Sequence, residues 1–383
     1  MRQIYLDNAS TTMLDLEVVK VMLPYLTNKY GNASSSHDLG REAREAIENA
    51  RKIIADKINA KPNEIIFTGS ATEADNLAIK GIAYANKVKG KHIITSEIEH
   101  PAVIEACKAL EQEGFSITYL NVNREGLISI EDLKKAIRKD TILVSIMHAN
   151  NEIGTIQNIS EIGEICRAKG IYFHTDASQS FTKLPIDVKA MNIDLMTISA
   201  HKIHGPKGIG ALYLRENVNI KPIQHGGSHE FGLRPGTENL ANIVGFAKAA
   251  TLVIQKDIER MTRLRDYFLS ALIKMPKVKL NGSHKQRLCN NINVLFQGIG
   301  SEIMLNHLNS QGIYASAGSA CTAQEITTSH VLKAIVLTDE EANSSIRFSI
   351  SKFTSREDIE YALNAIKEIV YSLRKISAII NKV

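Results

Sequence analysis

The 383-residue chain has no apolar run approaching the roughly 18 residues that a membrane-spanning helix needs, so no spanning segment is expected. It has no large surplus of one charge. Lys and Arg number 46 against 41 Asp and Glu, and the resulting +5 is interleaved along the chain, unlike the footprint of a nucleic-acid binder. It has only four cysteines, Cys107, Cys166, Cys289 and Cys321. No two of them form a CxxC pair, which argues against a zinc ribbon or a thioredoxin-type site. Internal repeats and low-complexity segments are absent. The N-terminus, MRQIYLDNAS, places Asp7 ahead of any apolar run, unlike a secretory leader, so a cytoplasmic protein is expected. What remains is ordinary globular usage, 44% hydrophobic and 23% charged. At about 150 residues per domain, the length suggests two domains.

Short apolar runs alternate with amphipathic stretches. Strands are predicted at 64–68, 92–95, 117–122, 141–147, 171–174, 194–199 and 210–214, with helices between them at 71–87, 101–113, 130–138 and 159–169. Strand–helix alternation with near-continuous apolar strands predicts an α/β fold whose mostly parallel sheet is covered on both faces. From about residue 239 the pattern changes to one long helical stretch reaching about 273. Shorter strands and helices follow, then a final helix from about 356. There Ile359, Leu363, Ile366, Val370 and Leu373 form one apolar stripe, and Ser355 with Asp358 has a capping spacing. The expected division is a large α/β unit, 15–250, and a small α+β unit made of 1–14 and 251–383.

Six constellations and one cysteine stand out. Thr68-Gly69-Ser70-Ala71-Thr72-Glu73 follows a strand and opens a helix, which suits either an ordinary cap or an anion at the helix N-terminus. It is not a Walker A motif, since no Gly-Lys-Ser/Thr follows. Asp176 ends an apolar strand, where a carboxylate either reaches the ligand crevice of an open sheet or caps the next turn. Lys202, within Ser199-Ala200-His201-Lys202, is a solvated surface charge or a partly desolvated amine suited to a Schiff base. The glycine-rich loop 225–239 is too polar for a core, and a metal set of His225, His229 and Glu230 lacks helical spacing. His100 and Asn151 follow strands. Arg347 sits inside an apolar strand and needs an anion to justify its position. Cys321 lies among small residues, 317–323, with nothing bulky to bury it, whereas Cys107 and Cys166 read as packing residues.

In this order the segments YLDNASTT, FTGSATEADNLAIKG, HIITSEIEHPAV, SIMHANNEIGTIQ, HTDASQS, SAHKIHGPKGIGALY, HGGSHEFGLRPGTEN, SAGSACTA and SSIRFS resemble the cysteine desulfurases, class-V members of the aspartate-aminotransferase fold type. The resemblance implies a pyridoxal 5'-phosphate enzyme that takes sulfur from L-cysteine and leaves L-alanine. It implies that Lys202 carries the cofactor covalently, Asp176 pairs with its ring nitrogen, Gln179 bonds its ring hydroxyl and His100 stacks on the ring and moves protons. Ala71, Thr72, Ser199 and His201 would hold the phosphate, joined by Thr237 from the neighbouring subunit of a homodimer. Asn151 and Arg347 would orient the substrate. Cys321 would take the sulfur as a persulfide. No metal is implied apart from a transient iron–sulfur contact at Cys321.

The sequence departs from the family at Met13, Ala33 and Thr328, where relatives commonly carry proline, and it stops soon after Leu373, short of the extension that docks a scaffold in longer relatives. The sulfur acceptor is therefore left open between an iron–sulfur scaffold, a tRNA-thiolation protein and another carrier. Neither nucleic acid nor membrane is an expected partner. Alternatives on the same fold are a selenocysteine lyase and an aminotransferase. A nucleotide-binding carrier would ignore Lys202, and a cysteine protease would leave Lys202, Asp176 and Arg347 without roles.

Overall fold

The structure, a computed structural model, describes residues 2–317 and 328–380. The chain opens with β1 (Ile4–Tyr5), α1 (Leu16–Thr27) and α2 (Asp38–Asp56). It continues with β2 (Ile65–Thr68), α3 (Ala71–Asn86), β3 (His92–Ser96), α4 (Pro101–Gln112), β4 (Ser116–Leu120), α5 (Ile130–Ala136), β5 (Thr141–Ser145), α6 (Ile159–Lys169), β6 (Tyr172–Asp176), β7 (Leu195–Ser199) and β8 (Gly210–Leu214). Strands β2 to β8 form one seven-stranded sheet in the order β2-β8-β7-β6-β5-β3-β4. All its pairings are parallel except those of β8, which runs antiparallel to β2 and β7.

Alternate residues of each strand serve opposite faces. Ile65, Phe67, Ile94, Val144, Met196 and Ala211 pack with α1, α2 and α6. Their neighbours Ile66, Ile93, Leu143, Leu195 and Leu212 pack with α3 and α4. Both faces are thus dry, as apolar strands without polar alternation require. Cys107 and Cys166 are fully buried in these two layers.

The remainder is α7 (Leu240–Leu252), α8 (Gln255–Ile273), β9 (Val278–Leu280), β10 (Asn291–Phe296), α9 (Ser301–Ser310), β11 (Ile313–Tyr314), α10 (His330–Ala334), α11 (Asp339–Ala342), β12 (Ser345–Ser349) and α12 (Arg356–Ile380). The single helix expected over 239–273 is two. Val253 and Ile254 are extended, and the Asp257 carboxylate accepts the Ile254 amide at 3.2 Å, which starts a second helix instead of continuing the first. Strands β9, β10 and β12 form a separate antiparallel sheet, and β1 pairs with β11 in parallel. Ile4 and Leu6 therefore share a hydrophobic core with α8, β10, β12 and α12, although almost the whole chain separates them in sequence. The α12 stripe buries Ile359, Leu363, Ile366 and Val370 in that core. Ser355 and Asp358 bond reciprocally at its start, at 2.9 and 3.1 Å. No helix among the described residues is long and apolar enough to cross a membrane.

Candidate active site

Ligands of open α/β sheets bind beyond the carboxyl ends of the strands. Here the residues following β2, β3, β5, β6 and β7 line one cavity of about 280 Å³. After β2 the chain turns into α3. Ser70 caps that helix, its Oγ accepting the Glu73 amide at 3.1 Å. Glu73 reaches back not to Ser70 but to the Gly69 amide, at 2.7 Å, and also takes Arg234 Nε at 2.9 Å. Ala71 and Thr72 fall in the first turn, whose amides have no partner within a helix, and both line the cavity. The helix start is pressed onto β8: a Cβ on Gly210 would stand 2.8 Å from the Ala71 nitrogen.

Asp176 ends β6. Its Oδ1 accepts the Ser178 amide at 2.8 Å in a tight turn, and no helix follows for it to cap. Behind it, His174 Nδ1 meets Ser145 Oγ at 2.8 Å, while Nε2 lies 3.1 Å from Thr197 Oγ1 and 3.6 Å from Asp75 Oδ1. Burial pushes His174 down to about 4. Burial, with the charge of Asp176, also holds the Asp75 carboxyl well above the usual carboxylate range. His174 is then neutral at pH 7, and the shift of Asp75 favours its protonated form beside Asp176.

After β7 a single turn, Ala200–Lys202, directs Lys202 Nζ onto the carbonyls of Ala9 and Ser10, each at 2.6 Å. Gln179 Nε2 donates to the same Ala9 carbonyl at 2.9 Å. His201 Nδ1 lies 3.1 Å from Thr11 Oγ1, and burial with the nearby lysines pushes its pKa down to about 4. Buried Lys183 donates to the carbonyls of Gln179 and Lys202 at 2.9 and 3.3 Å, joining the segments after β6 and β7, and burial lowers it to about 8.

His100 caps α4. Its Nδ1 accepts the Ala102 amide at 3.1 Å, so the neutral ring carries its hydrogen on Nε2. Burial keeps it below its ordinary pKa, with Asp176 opposing and Lys202 and His330 adding to the shift. Arg347, on β12, is 1% exposed. It donates through Nη2 to Asp7 Oδ1 at 2.7 Å and Ser10 Oγ at 2.6 Å, and through Nη1 to the Asn151 carbonyl at 3.1 Å. The anion that a buried arginine requires is thus supplied within the chain.

Ala71, Thr72, His100, Asn151, Asp176, Gln179, Ser199, His201, Lys202 and Arg347 all line this cavity. Thr237 is exposed and lines a neighbouring cavity with Thr68, Gly69 and Arg234. Cys321 lies outside the described residues. The described residues flanking its segment reach the cavity wall: Ser316 pairs with Arg347 through both backbone groups, Ser329 Oγ donates to Glu152 Oε2 at 2.6 Å, and His330 Nε2 meets the Glu99 carbonyl at 2.9 Å. Of His225, His229 and Glu230, which lack helical spacing, Glu230 grips buried Arg51 through both oxygens at 2.8 Å. No group of three candidate ligands occurs among the described residues.

The sequence matches the family described as aminotransferase class-V over residues 4–362. It is 52% identical to the cysteine desulfurase IscS of Dictyoglomus turgidum over 380 residues, covering 98% of this chain and 96% of that protein. Among solved structures it superposes on a NifS-like protein with a TM-score of 0.91 at 36% identity, covering 97% and 100% of the two chains. It also superposes on SspA in complex with cysteine, with a TM-score of 0.83 at 39% identity, covering 92% and 100%. The chain belongs to the class-V aminotransferases, in their NifS/IscS-type branch. Its fold is that of the type I pyridoxal-phosphate transferases.

In this class-V chain the N-terminal turn carries more of the site than sequence reasoning assigned to it. Asp7, Ala9 and Ser10 together contact Lys202, Gln179 and Arg347. The signal was a run of small polar residues, Asp7 to Thr12, directly after a two-residue strand, but their partners lie up to 340 positions away. Asp75, Lys183 and His330 carry no such signal. Each stands inside a helical or turn pattern where a charged residue ordinarily faces solvent.

Proposed function

We infer that the protein is a pyridoxal-phosphate-dependent cysteine desulfurase, releasing L-alanine from L-cysteine and holding the sulfur on Cys321. The observation that carries this is an amine, Lys202, and a carboxylate, Asp176, at neighbouring strand ends in one cavity with a buried arginine. The donor set fits the cofactor: an amine for its aldehyde, a carboxylate for its ring nitrogen, and a helix N-terminus with a serine hydroxyl for its phosphate. When bound, pyridoxal phosphate supplies the aldehyde and the electron-accepting ring. Lys202 attaches it, Asp176 keeps a proton on the ring nitrogen, and Gln179 bonds the ring hydroxyl. Ala71, Thr72, Ser199 and His201 hold the phosphate. His100 holds a proton at Nε2 for transfer to the substrate.

Arg347 and Asn151 orient the amino acid by its carboxylate. The Cys321 thiolate forms a bond to the substrate sulfur as the carbon–sulfur bond breaks. That electron pair stays with carbon, which takes up a proton and becomes alanine. The curated relatives bear the name cysteine desulfurase, and one structural neighbour holds cysteine, which supports the choice of substrate.

The working form is a homodimer in which Thr237 completes the partner's phosphate site. Leu16, Val19, Leu23 and Leu26 form an exposed apolar stripe on α1 that supports this assembly. The separate hydrophobic cores support a division into 15–250 and the pair 1–14 with 251–383. The acceptor of the sulfur is an iron–sulfur scaffold, a tRNA-thiolation protein or another sulfur carrier. Lys202→Ala protein is expected to lack the visible absorption of the attached cofactor, and Cys321→Ser to keep that absorption yet release no sulfide from L-cysteine. Normal sulfide release by Cys321→Ser would remove Cys321 from the reaction.

A further inference from the structure

An arginine receives a carboxylate on two prongs along an edge that presents two parallel N–H groups. The guanidinium has two such edges facing away from its stem, Nε with Nη2 and Nη1 with Nη2, so both use Nη2. In this chain the two hydrogens of Arg347 Nη2 are both committed, to Asp7 Oδ1 at 2.7 Å and to Ser10 Oγ at 2.6 Å. Ser10 Oγ in turn donates to Asp7 Oδ1 at 2.8 Å, closing a three-membered ring of contacts. Nη1 keeps one hydrogen on the Asn151 carbonyl, and Nε is buried with no partner among the described residues. Neither two-pronged edge is open while Asp7 holds its place.

Asp7 is built to leave as well as to hold. Its side chain is 18% exposed, against 1% for Arg347, so it can return to water while the arginine cannot. Its backbone bridges Ser349, two residues beyond Arg347 on the same chain segment, which fixes the distance over which it can swing back. A buried guanidinium stripped of its counter-ion is costly, and Asp7 supplies one whenever no ligand does.

We propose that Asp7 is the resting occupant of Arg347, and that substrate binds by exchanging its own carboxylate for that of Asp7. The proposal rests on the reading of Arg347 as the carboxylate site. Asp7 is then a positioning residue that sets affinity and selectivity. Only a ligand bearing an anion can make the exchange without leaving the arginine bare. Apparent affinity is lowered in proportion to the fraction of molecules in the open state.

The test uses holoenzyme variants with two readouts: KM and kcat for L-cysteine, and competitive inhibition by propionate, which has a carboxylate but no amine to react with the cofactor. Asp7→Asn is expected to lower KM and the propionate inhibition constant together by about three- to ten-fold, a closed state favoured about two- to nine-fold. The effect on KM should exceed that on kcat. Ser10→Ala, which leaves the Asp7 carboxylate on Arg347, is expected to move both constants less than Asp7→Asn. An Asp7→Asn enzyme whose KM and inhibition constant are unchanged or raised overturns the exchange, as does a larger fall in Ser10→Ala. Arg347→Gln separates the underlying reading. If it is inhibited by propionate as well as the parent enzyme, Arg347 is not the carboxylate site. If inhibition is lost, that reading stands and the Asp7 variants decide the rest.

Discussion

The two ends of the cavity are assembled on different principles. At one end Asp176, Lys202, Ser199 and the start of α3 stand on the strand ends and turns of a single seven-stranded sheet, buried between two apolar layers. At the other, Arg347 belongs to a second sheet and is completed by the N-terminal turn, through contacts between residues 340 apart in the chain. The first end stands on the strand ends of one sheet with a dry core on each face. The second depends on how two hydrophobic cores and the chain terminus sit against one another. On the proposed function, cofactor attachment falls to the first end and carboxylate exchange to the second. Changes at the first should fall on kcat, and changes at the second on KM.

His100→Gln is the strongest probe of that division. Loss of its Nε2 proton should lower kcat by about a hundred- to ten-thousand-fold, as removal of a general acid–base group does, with KM little altered. Steady-state alanine production checks it, and an effect confined to KM would erase the contrast. Ser349→Ala touches the turn that both ends share, because Ser349 Oγ accepts the Ala9 amide at 2.8 Å. Leaving that buried amide unpaired should cost about 1–3 kcal/mol of stability. Thermal unfolding would measure the cost, and kcat and KM should both worsen.

The smallest effect concerns Glu99, which burial lifts to about 8 although it accepts the Met147 amide and Ser96 Oγ. Between the ordinary carboxyl pKa of about 4.5 and that value, the folded chain holds a proton that the unfolded chain has released. Stability therefore falls as pH rises through this window. Glu99→Gln removes the titration, so the drop in melting temperature from pH 5.5 to 8.5 should be smaller than in the parent. An equal drop would assign the pH response to other groups.

The same division explains what the sequence disclosed. Lys202, Asp176 and the Ser70 cap each follow an apolar run, so strand period and turn chemistry marked their positions, while their roles came from the resemblance. The α12 stripe was legible from its period in the same way. Arg347 was legible as a misfit in an apolar strand, but its partner was not, because nothing near position 347 names Asp7. Helices α1 and α2 escaped notice, the first because its apolar residues face outward as well as inward. The break at Val253–Ile254 escaped because a capping aspartate, Asp257, about five turns into the expected helical stretch reads as one more polar-face residue.

The pairing of β1 with β11 also bears on synthesis. The first dozen residues leave the ribosome long before positions 313–349 exist, so a nascent chain can complete its large sheet while its opening turn still hangs loose. Ribosome-bound intermediates should acquire the Lys202 end first and gain the Arg347 end only when the C-terminal third has been translated.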